Sequence, residues 1–158
     1  MVRAQLRLVP IVLAVAVLAA ACSSGADAPS GTATEIADQV FVEAGVEPFG
    51  NTISLETDQE IEYFLGSTNY PDFTDSAVVE PMIGLDARIL YILIAESEKD
   101  AADIVVQLEE DVDPARLICV TFTLDDVVID SRGNVVFMTI NSDLAQREAL
   151  AEAFTTIE

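Results

Sequence analysis

Histidine and tryptophan are absent from the 158 residues, lysine occurs once, and only seven lysine and arginine side chains stand against 28 carboxylates. Without imidazole there is no Ser-His-Asp or Cys-His relay and no histidine-ligated zinc. The one lysine, Lys99, lies in Ser97-Glu98-Lys99, which lacks the Ser-x-x-Lys spacing of acyl-enzymes and reads as a solvated helix start. Without tryptophan to serve as a sugar platform, the adjacent Asp125 and Asp126 make a poor glycosidase pair. A net charge of −21 repels phosphate backbones and anionic headgroups, so no nucleic acid partner and no polybasic membrane adhesion are expected. The absences together predict a protein that is not an enzyme.

What is present begins with an address. Arg3 and Arg7 form a positive segment, Val9 to Ala21 is an apolar run, and Ala19-Ala20-Ala21 meets Cys22. Spanning a bilayer takes about 20 apolar residues, more than this run supplies, so a retained anchor is the weaker reading. The pattern resembles the lipobox of bacterial lipoproteins. That resemblance implies cleavage after residue 21, lipidation of Cys22 with diacylglyceryl and palmitoyl groups, and attachment to the extracytoplasmic face of the cell membrane. Ala19 to Ala21 also suits ordinary small-residue cleavage and secretion. Two or more acyl chains hold a protein stably at a membrane, whereas one is marginal.

Removing residues 1–21 leaves 137, the size of one domain, with five basic residues against 28 acids and a net charge of −23. Once Cys22 is acylated, Cys119 has no partner within the chain. In an apolar stretch without a nearby base it reads as a packing thiol. Residues 22–33 are rich in Ser, Gly, Ala and Thr and predict a flexible tether, with a single acidic α+β domain over 34–158. As a coil of about 11 residues such a tether spans on the order of 18 Å.

Within the domain, Thr32-x-x-Glu35 and Thr57-x-x-Glu60 are capping boxes, predicting helices from Thr34 to Ala44 and up to Gly66. Residues 67–75 read as an irregular loop. Arg88 to Ala95 is apolar on both alternating faces, a strand expected in mid-sheet. Ser97 caps a helix that Asp113-Pro114 ends, Leu117 to Leu124 alternates as a strand, and Asp125-Asp126 interrupts it as a bulge. Val127 to Ile140 then reads as a hairpin and Ser142 opens a final helix. The expected architecture is α+β: a small antiparallel or mixed sheet with helices mainly on one face, behind a cleaved signal peptide.

From Asp58 to Phe154 the chain resembles a family of small lipoproteins of Gram-positive bacteria that carry a domain of unknown function. The likeness lies in the acidic short helix, the Tyr70-to-Phe73 loop, Glu98-Lys-Asp-Ala-Ala102 and Gly133-Asn134-Val135-Val136 before a terminal helix. It implies no activity, since the family has none assigned.

Three functional expectations follow. The leading one is a non-enzymatic binding or accessory domain that meets a protein partner at the cell surface through a helix-free face or through Tyr70 and Phe73. The second is divalent-cation binding or salt adaptation. Oxygen ligands favour hard ions such as Ca²⁺, and Glu109, Glu110, Asp111 and Asp113 crowd one helix end while Asp125, Asp126 and Asp130 surround the hairpin. Neither cluster has the spacing of an EF-hand loop, and no other cofactor is expected. The third is a hydrolase, which would need an apolar pocket holding two convergent acids.

Overall fold

In the computed structural model, which describes residues 27–82, 87–112 and 122–158, the chain runs α1 (Ala33–Ala44), β1 (Gly50–Ile53), α2 (Asp58–Leu65), β2 (Phe73–Pro81), β3 (Arg88–Ala95), α3 (Glu98–Asp111), β4 (Val127–Arg132), β5 (Val135–Asn141) and α4 (Leu144–Thr156). The strands form one sheet in the order β1-β2-β3-β5-β4, each neighbouring pair antiparallel. This is the α+β class with a small antiparallel sheet that the sequence predicts. The doubly apolar β3 occupies the middle.

Strand alternation divides the core in two. Val79, Leu90, Ile92, Val135 and Phe137 point to one side, where α1 packs Ile36, Val40 and Phe41 and α4 packs Leu150 and Phe154. Phe137 and Phe154 stack with centroids 4.9 Å apart. Val78, Ile89, Tyr91, Leu93 and Met138 point to the other side, against Leu65 of α2 and Ile104 and Leu108 of α3. Among the described residues helices therefore pack on both faces of the sheet, which corrects the expectation that they lie mainly on one. The reason lies in β3. Burying one large apolar side chain contributes roughly 1.5–3 kcal/mol, so leaving its second row bare would sacrifice much of a small domain's typical 5–15 kcal/mol.

Both capping boxes form: Thr32 and Thr57 accept the backbone N–H of Glu35 and Glu60, and those carboxylates reach back to the threonine N–H groups. Ser97 caps α3, and Asp143 caps α4 by accepting from Ala145 and Gln146. Two strands depart from the sequence reading. β1 is almost wholly exposed, and β2 contains Asp75, Ser76 and Pro81, residues that locally signal a loop. Long-range bonds hold those polar groups: Asp75 Oδ2 accepts the Ala33 N–H at 2.8 Å, and Ser76 Oγ accepts the Leu55 N–H at 2.8 Å. Gly50 lets β1 approach β2, because a Cβ there would fall 2.5 Å from the Glu80 carbonyl oxygen.

Most of the strand expected over 117–124 lies outside the described residues. Its final residue does not continue an inward row, since Leu124 is exposed and begins a 3-10 turn, Leu124–Asp126, where a bulge was expected. Thr123 accounts for this turn, because its N–H and hydroxyl both donate to Asp126 Oδ2, at 2.9 and 3.0 Å.

Residues 27–33, assigned to the tether on composition, lie against the folded body. Pro29 and Ala33 are buried, and the Ser30 N–H donates to the Glu158 carbonyl at 3.3 Å. Arg132 clamps the strap, donating from Nη2 to the Asp27 carbonyl at 2.8 Å and from Nη1 to Phe154 and Ile157 carbonyls at 2.7 and 2.8 Å. Gly133, in the two-residue β4–β5 loop, has φ +55°, and a Cβ there would meet Ala28 Cβ at 2.7 Å. Both the turn and the strap therefore require glycine.

Candidate functional site

An apolar concavity lies under α2 and α3, at the end of the sheet where β3 begins and β5 finishes. It encloses about 60 Å³ that water-sized groups can occupy and is partly open to solvent, floored by Ile89, Met138 and Ile140 and walled by Phe64, Leu108 and Phe122. The floor follows from sheet register: Ile89 pairs with Ile140 at this end, whereas Ile94 pairs with Val135 at the opposite end beside the Arg132 loop. Ile89 and Ile94 are five positions apart along β3, about 17 Å. The pocket and the strap are thus on opposite rims of the sheet.

Two carboxylates line this apolar space: Glu80 near the end of β2 and Asp111 as the last residue of α3. Burial pushes the Glu80 carboxyl above its ordinary value. Asp111 Oδ2 is buried and has no hydrogen-bond partner among the described residues. Its position adds to the cost, because helix carbonyl ends carry partial negative charge. No basic residue is among the described lining. The Tyr91 hydroxyl, also in the wall, donates to the Phe64 carbonyl at 3.3 Å and ties α2 to the sheet.

The residues expected to carry function are arranged differently. Cys22, Asp113 and Cys119 lie outside the described residues. Tyr70 and Phe73 are half-buried and packed on the α2–α3 core, and the Tyr70 hydroxyl donates to the Leu65 carbonyl at 3.0 Å. They brace the interior instead of projecting as free anchors. Of the acidic clusters, Glu109 and Glu110 are exposed while Asp111 turns to the pocket. Asp125 is exposed, and Asp130 Oδ1 accepts the Ser131 N–H at 2.7 Å.

Asp126 serves the 3-10 turn and faces the buried Arg147, with Oδ1 3.4 Å from Nη1. The Thr123 N–H, then its hydroxyl and the charge of Arg147, hold the Asp126 carboxyl below the ordinary range. Among the described residues no three acids converge as a metal site, and no helix is long and apolar enough to cross a membrane.

Sequence reasoning missed Glu80 altogether. It sits in Val79-Glu80-Pro81, where only strand pairing reveals that it faces the α2–α3 side. No family model, curated protein or solved structure matches the chain.

Proposed function

We propose that the protein is a lipid-anchored, extracytoplasmic binding domain, held at the membrane through Cys22, which receives a small partner in the pocket beneath α2 and α3. One observation carries the binding reading: an apolar pocket contains a buried acceptor, Asp111 Oδ2, that no described residue satisfies. A bound donor would offset that cost. The anchor rests on the apolar segment and Ala19-Ala20-Ala21-Cys22, with their likeness to a lipobox.

The clamp at Asp27 supports a definite orientation for such an anchored protein. Asp27 is only five positions beyond Cys22, a reach of about 17 Å when extended. The strap end of the sheet then sits close to the headgroups and the pocket faces away from them. Intact mass of the membrane fraction tests the anchor: the expected species begins at Cys22 and carries diacylglycerol plus an amide-linked acyl chain. An unacylated mature chain free in the medium would overturn it. For the pocket, methyl resonances of Ile89, Met138 and Ile140 should respond saturably to small-molecule probes.

A carboxylate-only hydrolase is the second reading, and the observation favouring it is that Glu80, with its raised pKa, shares the pocket with another acid. Binding ranks first because a hydrolytic site also needs donors for the charge that develops in its transition state. Among the described lining there is no arginine, lysine or histidine to provide them.

A further inference from the structure

We propose that the ligand of the α2–α3 pocket is a small amphipathic organic cation, an ammonium group on a short aromatic or aliphatic body. This deepens the binding reading above and rests on it. Asp111 Oδ2 is a buried acceptor without a donor among the described residues, Glu80 is a second acid in the same wall, and the carbonyl end of α3 adds partial negative charge. An ammonium suits each of the three. It supplies N–H donors to the free oxygen and a full positive charge to carboxylates in apolar surroundings, where charge-assisted hydrogen bonds are strongest.

The remainder of the pocket selects the body of the ligand. Ile89, Met138, Ile140 and Phe122 offer only carbon and sulfur surface, so a bare inorganic ion would leave that area unfilled. A hydrated metal ion is further disfavoured because no described group of three ligating side chains exists to replace its water. Anions meet two acids and no described basic lining residue. The acidity of the whole chain also concentrates cations near its surface.

The test uses the full mature chain in zwitterionic phosphatidylcholine nanodiscs, with methyl NMR as the readout at constant ionic strength. Phenethylamine is the probe; 2-phenylethanol, phenylacetate and methylammonium are the comparators. The expected result is saturable shifts at Ile89, Met138 and Ile140 with phenethylamine, at least tenfold weaker binding of each comparator, and at least tenfold weaker phenethylamine binding in Glu80→Gln and Asp111→Asn. Both substitutions keep side-chain volume, and circular dichroism verifies their folding. Val112→Phe, which narrows the pocket without altering charge, should abolish binding and covers the case in which either acid variant unfolds. Equal binding of phenethylamine and 2-phenylethanol, or indifference to the acid variants, overturns the cation assignment while leaving the pocket as a binding site. No shift with any of the four compounds overturns the pocket reading itself, and the cation assignment with it.

Discussion

Arg132 Nη2 and the Asp27 carbonyl lie 2.8 Å apart, joining residues 105 positions distant in sequence. The same guanidinium holds the end of α4 through Phe154 and Ile157, so one side chain fastens both the entering and the leaving chain. Hydrogen bonds to a charged donor are each worth about 1.5–3 kcal/mol. Arg132→Met should therefore lower stability by roughly 2–4 kcal/mol in urea denaturation, less than a sum because water reaches the strap. Amide exchange at Ala28 and Ser30 should quicken at the same time. Unchanged exchange there would show that packing alone holds the strap.

Arg147 is buried on α4, donating to the Asn141 carbonyl and to Asp126. Arg147→Met retains much of the volume but leaves that carbonyl without its charged donor. The expected loss is about 1.5–3 kcal/mol, together with a rise in the Asp126 pKa that carboxyl NMR can follow. A stability equal to that of the native chain would assign Arg147 only a space-filling role.

Acid sensitivity is set by carboxyl groups whose pKa values shift in opposite directions. Glu35 lies below its ordinary 4.5 chiefly through the Thr32 N–H, and Glu60 through the Thr57 hydroxyl followed by the Glu56 and Thr57 N–H groups. Their stabilisation is complete above about pH 4.5 and is lost as pH falls through the lower native values. Glu80 is raised, so its contribution is present below about 4.5 and is lost as pH rises through its native value. Glu35→Gln and Glu60→Gln retain the capping geometry and should flatten the acid limb of a thermal melting profile. Glu80→Gln should instead raise the melting temperature near neutrality. A fall in melting temperature would mean that ionised Glu80 has a favourable partner.

For calcium, the described acids do not converge: Asp126 caps a turn, Asp130 accepts a backbone N–H, and Glu109 and Glu110 face solvent. Millimolar CaCl₂ should shift the melting temperature no more than NaCl of equal ionic strength. A larger shift would require a site that includes residues outside 27–82, 87–112 and 122–158. Salt itself should stabilise the protein, because it screens repulsion among 28 acids opposed by so few cations.

Helix boundaries were legible because their signals are local: Thr32-x-x-Glu35 and Thr57-x-x-Glu60 carry their own stop and start chemistry, and Gly45 and Gly66 end what they begin. The central position of β3 was legible for a similar reason, since both of its rows are apolar. β2 was not, because Asp75 and Ser76 are justified only by the N–H groups of Ala33 and Leu55, 42 and 21 residues away. The pocket was hidden for the same cause. Glu80 and Asp111 meet the same apolar space only after β2 and α3 have packed on one face, and no spacing in the chain announces that meeting.

Gly50 gives the fold a vulnerability out of proportion to its size. A single methyl at this position would strike the Glu80 carbonyl and the Met82 nitrogen, prising the four-residue β1 from its neighbour. The bared flank of β2, with Ala77, Val78 and Val79 at its heart, would then be free to zip onto the same flank of another molecule. Gly50→Ala is therefore expected to promote self-association on warming, and light scattering equal to that of the native chain would show that β1 stays paired despite the methyl.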